Sequence, residues 1–132
     1  METSRILHGI RVIDMTQYLA GPTVTRMLAE MGAEIIKIER VPNGDPTRNY
    51  AIVHESGRSG YFVQQNRGKK SLCIDFDHPK GRSILIDLIK DADVFVENYG
   101  PGVLERRGFD WETVKEFNPR LVMASISGFG KS

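Results

Sequence analysis

The chain has 132 residues, of which 40% are hydrophobic and 27% are charged, and its formal net charge at pH 7 is +1. These values are typical of one globular domain with a real core and exclude disorder as its main state. The balanced charge gives no bulk electrostatic support for binding nucleic acid or an acidic membrane surface.

The first forty residues predict a strand, a helix and a second strand. We expect the strands over residues 10–13 and 34–38. Between them, Gly21 and Pro22 open a helix that Gly32 ends. Such a unit predicts a parallel, right-handed crossover. Four apolar residues at helical spacing are expected to form the buried face of this helix: Val24, Met27, Leu28 and Met31.

The middle of the chain is harder to interpret. Residues 46–60 read as a long loop, and residues 61–65 as a short helix or strand. A basic turn over residues 66–71 leads into a third strand at 72–74. The pair Asp77 and Pro79 marks the start of a helix. The apolar face of that helix is expected to contain Ile84, Leu85, Leu88 and Ile89.

The last third repeats the alternation of strand and helix. A buried strand is expected at residues 94–96, followed by a polar turn rich in glycine and proline. Asp110 then caps a helix over residues 111–117, which Asn118 and Pro119 end before a fifth strand at 121–126.

This alternation predicts an α/β fold, a Rossmann-like open and largely parallel sheet with helices on both faces. We expect a single domain over residues 1–132. In such a sheet the loops that follow the strands emerge at one edge, where ligands bind. The loops predicted to meet there are residues 15–20, 39–48, 97–102 and 125–132.

Positive charge is concentrated near that edge. Arginine can grip phosphate with two hydrogen bonds, and a phosphate monoester carries roughly −1.5 to −2 charges. The sequence therefore predicts a small phosphorylated ligand. The cations expected around it are Arg40, Lys69, Lys70, Arg106, Arg107 and Lys131.

Other chemistry has little support in the sequence. Neither a dinucleotide-binding glycine motif nor a P-loop occurs, and the three histidines are scattered without ligand spacing, so we expect no metal. We expect Cys73 to be buried and unreactive. The carboxylates Asp14, Asp75 and Asp77 read as caps of helices or strands. No stretch approaches the ~20 apolar residues of a membrane span, and no targeting segment is evident, so we expect a cytoplasmic protein.

Eight short segments carry a further signal. They are residues 7–14 (LHGIRVID), 20–22 (AGP), 32–40 (GAEIIKIER), 44–48 with Gly44, Asp45 and Arg48, 66–71 (NRGKKS), 97–102 (ENYGPG), 118–120 (NPR) and 125–130 (SISGFG). In type and order they resemble the amino-terminal part of the class III CoA-transferases, the family that includes formyl-CoA transferase and the carnitine-linked CoA-transferases.

The resemblance implies a coenzyme A site built from these loops. Residues 17–20 would line its entrance, and Arg40 would approach the adenosine end. Lys69 would approach the phosphates, residues 98–99 would flank the pantetheine and adenine, and Arg106 would bind phosphate. The complete set implied is Gln17, Tyr18, Leu19, Ala20, Arg40, Lys69, Asn98, Tyr99 and Arg106.

The family moves CoA from an acyl-CoA to a carboxylic acid through intermediates on an aspartate, a form of covalent catalysis. The resemblance places that aspartate beyond Ser132, so this chain would bind CoA but be inactive alone, and the full-length parent would be an interlocked homodimer. Two alternatives remain, a relative of the α-methylacyl-CoA racemases and a non-catalytic CoA or nucleotide-binding module.

Overall fold

The computed structural model describes residues 5–50 and 54–130. Its strands are β1 (Arg11–Met15), β2 (Glu34–Arg40), β3 (Lys70–Ile74), β4 (Val94–Glu97) and β5 (Val122–Ser125). Its α-helices are α1 (Ala20–Glu30), α2 (Gly60–Asn66), α3 (Pro79–Lys90) and α4 (Trp111–Phe117). Two 3₁₀ turns cover Pro46–Asn49 and Glu105–Arg107.

The five strands form one parallel sheet in the order β3-β2-β1-β4-β5. The order reverses between β1 and β4, where Ile13 lies opposite Phe95. The predicted fold class is confirmed, and the crevice at the carboxyl ends of these two strands is the position where open α/β sheets bind ligands. Among the described residues, no helix is long and apolar enough to cross a membrane.

The sheet has a hydrophobic layer on each face because successive side chains of a strand point to opposite sides. Ile13 and Phe95 pack on one side with Leu85 of α3 and Val114 of α4. Val12, Val96 and Ile35 pack on the other side with Ala29 and Leu28 of α1. Helices therefore cover both faces, as the alternation predicted.

The predicted buried face of α1 is wrong. Val24, Met27 and Met31 are 40%, 48% and 45% exposed, and only Leu28 is partly buried. The buried stripe consists of small residues instead, Gly21, Pro22, Thr25 and Ala29. A Cβ atom added at Gly21 would lie 2.4 Å from the Thr16 side chain, so this stripe lets the helix approach the sheet closely. Helical spacing identified an apolar stripe but not which stripe faces inward.

Three smaller expectations also change. Ile84 is exposed, whereas Leu85 and Ile89 of the same helix are fully buried. Cys73 is exposed, because it lies on the edge strand β3 and points away from the face that Leu72 and Ile74 share. The segment read as a long loop contains the 3₁₀ turn Pro46–Asn49, and its residues 51–53 lie outside the described part of the chain. Residues 61–65 are helical within α2.

Candidate functional site

The carboxyl edge of the sheet carries two neighbouring clefts. Gln17 and Arg40 line the first, of about 440 Å³, together with Asn43 and Asn49. The second, of about 330 Å³, is lined by the loops that follow β1, β4 and β5. Its lining includes Ala20, Asn98, Tyr99, Gly100 and Ser127. Loops far apart in the sequence therefore meet at this rim, at the strand-order reversal.

Asn98 joins the loops after β1 and β4. Its side-chain oxygen accepts a hydrogen bond from the backbone N–H of Gln17 at 2.8 Å, and its amide nitrogen donates to the Gln17 carbonyl at 2.8 Å. The Gln17 side chain in turn donates to the Tyr99 hydroxyl at 2.9 Å. Burial raises the pKa of Tyr99, so this hydroxyl stays protonated at neutral pH. These contacts fix the two loops against each other.

The loop between β1 and α1 is strained at one residue. Tyr18 has a φ of +65°, a left-handed conformation that non-glycine residues rarely adopt. Its ring is half exposed and stands edge-on to Tyr50, with ring centres 6.3 Å apart. Leu19 precedes α1 without a side-chain capping bond. The first backbone N–H groups of α1 therefore lack a side-chain acceptor at the rim.

Two arginines converge on one carboxylate at the rim. Arg107 lies 2.7 Å from Asp77, and Arg40 lies 3.9 Å from the same residue. Both guanidinium groups also lie 5.9 Å from the centre of the Phe76 ring. Arg106 follows the loop after β4 and is exposed. The rim thus presents Arg40, Arg106 and Arg107, as the sequence predicted.

Of the two lysines predicted at this edge, Lys70 lies at the opposite edge of the sheet and Lys69 is buried beneath the rim. Lys70 begins β3 and pairs at 2.5 Å with Glu34, the first residue of β2, so its place at the rim was wrong. The Lys69 ammonium lies under α1 with its side chain 2% exposed. It contacts oxygens of Asp14, Pro22, Thr25 and Asn66 at 2.7–3.0 Å. Lys131 lies outside the described residues.

A layer of charged side chains lies beneath the loops. We call these five residues the buried ionic layer: Asp14, Lys37, Glu39, Asp45 and Lys69. Lys37 lies 2.9 Å from Asp45 and donates to the Thr16 carbonyl at 2.7 Å. The layer therefore contacts the loop after β1 from below.

Asp14 caps the end of β1, as expected, and also binds a buried cation. Its carboxylate accepts hydrogen bonds from the Thr16 backbone at 2.9 Å and the Thr25 hydroxyl at 2.6 Å, and it pairs with Lys69 at 2.9 Å. Burial lowers the pKa of Lys69 to about 8, although the Asp14 charge opposes this shift. Asp77 does not cap α3, because His78 is the capping residue of that helix.

Glu39 is the acidic centre of the loop after β2. Burial disfavours its charge, but hydrogen bonds from Arg48, Ser71 and the Asp45 backbone outweigh burial and lower its pKa to about 2. Arg48 contacts both carboxylate oxygens, at 2.7 and 2.6 Å, and its guanidinium lies 4.0 Å from the centre of the Phe62 ring. Glu39 therefore holds the 3₁₀ turn and α2 against the sheet.

Lys37, Glu39 and Asp45 of this layer were missed as site residues because the sequence offered only a weak signal. Lys37 interrupts an otherwise apolar strand, and Glu39 follows it two residues later. A charged residue at a position that alternation assigns to a buried face was the available clue. Their partners, Asp45 and Arg48, come from a loop whose course the sequence does not fix. Within the described residues, no cluster of three or more metal-binding side chains occurs.

Comparison with known proteins adds a separate finding. The chain matches the model of the family described as CoA-transferase family III over residues 7–132. Formyl-CoA:oxalate CoA-transferases of Rhodopseudomonas palustris (strain TIE-1) and Afipia carboxidovorans are 47% and 46% identical to it over 127 residues. Those alignments cover 96% of this chain and 30% of each relative, so the chain spans less than a third of their length.

Solved structures agree. A crystal structure of a CAIB/BAIF family protein from Brucella suis is 41% identical, with a TM-score of 0.90, over 98% of this chain and 35% of that one. A protein from Mycobacterium tuberculosis is 35% identical, with a TM-score of 0.89, over 98% of this chain and 36% of that one.

Proposed function

This chain belongs to CoA-transferase family III, and on that premise we propose that it forms the coenzyme A-binding part of an enzyme that moves CoA from an acyl-CoA to a carboxylic acid. The family resemblance found in the sequence is confirmed by the match over residues 7–132. The observation that carries the proposal is the meeting of Gln17, Asn98 and Tyr99 at the reversal of strand order, with Arg40 beside them.

The ligand would lie across the two clefts. Exposed Arg40 and Arg106 would contact the negatively charged nucleotide end, because guanidinium groups bind phosphate with paired hydrogen bonds. Residues 17–20 would contact the ligand where α1 begins, since helix amino ends favour anions. The second cleft, beside Asn98 and Tyr99, would take the pantetheine arm.

Lys69 takes a different position in this proposal from the one that the family resemblance implied. Its ammonium has four oxygen neighbours inside the protein. We propose that it supports the loop after β1 through Asp14 and does not contact a phosphate.

The acyl-transfer step itself is proposed to need residues outside this chain. Three buried carboxylates near the rim are each held by a cation, Asp14 by Lys69, Asp45 by Lys37 and Glu39 by Arg48. Such pairing holds a carboxylate in place and weakens it as a nucleophile. An aspartate beyond residue 132 would carry the acyl group, within a homodimer of the whole protein. The chain alone would then bind coenzyme A without turning over acyl-CoA.

Calorimetric titration with coenzyme A tests the binding proposal. Charge reversal by Arg106→Glu or Arg40→Glu should weaken binding at least tenfold, or about 1.4 kcal/mol, because a phosphate contact becomes repulsive. Lys90→Glu is the matched control, because Lys90 ends α3 and pairs with Asp87 on the surface. Equal affinity in all four proteins would contradict the assigned site.

A further inference from the structure

Lys37 is a buried cation on β2, between the edge strand β3 and the central strand β1. Its side chain is 2% exposed, and Lys37 lies opposite Asp14 in the pairing of β1 with β2. The ammonium has two close oxygen neighbours, the Thr16 carbonyl at 2.7 Å and Asp45 at 2.9 Å. Well-packed apolar residues often replace a buried ion pair with no loss of stability. Stability alone therefore gives a weak account of this lysine.

The contact with Thr16 falls on the loop that the proposed function uses. Thr16 is held on its other side by Asp14, which accepts from its backbone N–H at 2.9 Å. Gln17 is held through both backbone groups by Asn98. Tyr18 follows at once with a φ of +65°. A residue in this conformation persists only where its surroundings impose it.

We propose that Lys37 is a positioning residue for coenzyme A binding: it holds the Thr16 carbonyl and so keeps residues 17–19 in the shape that receives the ligand. The inference rests on the proposed function of this rim. Without the ammonium, Thr16 loses a buried donor and Tyr18 can relax toward an ordinary conformation. The loop would then have to be ordered again during binding, at the expense of affinity.

A second role must be separated from this one. Lys37 also pairs with Asp45, whose carboxylate accepts from the Thr47 backbone and thereby starts the 3₁₀ turn. If Lys37 served only that pair, removing either partner would have the same effect. Asp45→Asn removes the acidic charge and keeps both an acceptor for Thr47 and the lysine bond to Thr16. Lys37→Met removes the bond to Thr16.

The test compares four variants of the whole chain with wild type by calorimetric titration with coenzyme A. They are Lys37→Met, Asp45→Asn, the double variant with both changes, and Lys70→Met as a surface control. We expect at least tenfold weaker binding for Lys37→Met and the double variant, and less than threefold change for the other two. The double variant leaves no unpaired buried charge and decides the question if Lys37→Met does not fold.

A second readout does not depend on the ligand. Backbone amide NMR signals and hydrogen exchange of residues 17–19 should change in the folded variants that lack Lys37 and stay as in wild type in Asp45→Asn. The inference is overturned if these amides are unchanged, or if Asp45→Asn binds as weakly as Lys37→Met. If wild type itself does not bind coenzyme A, the proposed function fails, and the amide signals still test whether Lys37 holds the loop.

Discussion

The buried ionic layer and the exposed arginines of the rim are built from the same kinds of charge but differ in surroundings. Lys37 and Lys69 are each 2% exposed and surrounded by protein oxygens. Arg40 is 51% exposed, and its ion pair with Asp77 is long, at 3.9 Å. The buried cations are committed to internal partners, whereas the rim cations can exchange a weak partner for a ligand. Charge near a site is therefore informative only together with burial.

The two groups should respond oppositely to mutation. Breaking a buried pair leaves an uncompensated charge in a medium of low dielectric constant, which mainly lowers stability. Removing an exposed arginine changes stability little, because surface ion pairs contribute about 0–1 kcal/mol, and mainly lowers affinity for an anion.

The largest effect is expected for Asp14→Ala. The change leaves the buried Lys69 ammonium without its carboxylate and removes the acceptor for Thr16 and Thr25. We expect the free energy of unfolding to fall by about 3–5 kcal/mol in urea denaturation. Asp87→Ala, at a carboxylate that is 69% exposed, is the control and should change stability by less than about 0.5 kcal/mol. A small loss of stability for Asp14→Ala would remove the distinction between the buried ionic layer and the exposed arginines of the rim.

The next largest loss of stability is expected for Glu39→Gln, and this loss should depend on pH. The pKa of Glu39 is lowered from 4.5 to about 2 in the folded chain, so its charge stabilises the fold fully above about pH 4.5. That contribution, about 3 kcal/mol, is lost as the pH falls from 4.5 through 2. Wild type should therefore be more stable than the variant at pH 7 and converge with it near pH 2. A difference independent of pH would contradict the assigned charge role.

Asn98→Ala probes the junction of the two loops. It removes two hydrogen bonds to the Gln17 backbone, each worth about 0.5–1.5 kcal/mol. We expect stability to fall by about 1–3 kcal/mol, measured by urea denaturation, and coenzyme A affinity to fall as well. Loss of stability with unchanged affinity would show that the junction is only structural.

The smallest effect is expected on the outer face of α1. Met27 and Met31 are nearly half exposed, so changing both to Lys should alter stability by less than about 0.5 kcal/mol per site. Coenzyme A affinity should not change in calorimetry. A larger loss of stability would mean that this face is covered in solution.

Hydrophobic periodicity and turn residues were enough to predict the alternation of strands and helices, the edge where the loops meet and the arginines that lie there. They could not choose between the two stripes of α1, because close approach at Gly21 and Thr16 is a tertiary effect. They misplaced Lys70 at the carboxyl edge, because the sequence did not show where the basic turn over residues 66–71 ends and β3 begins. The buried ionic layer escaped because its pairs, such as Lys37 with Asp45, join segments whose contact only the fold creates.

The central claim is that this rim binds coenzyme A, and NMR chemical-shift mapping on the ¹⁵N-labelled chain tests it most directly. During titration with coenzyme A, we predict the largest shifts in the backbone amides of residues 17–21, 40–44 and 98–106. The amides of residues 32–34 and 91–93, at the opposite edge of the sheet, should not shift. Shifts centred on that opposite edge, or none at millimolar coenzyme A, would contradict the account.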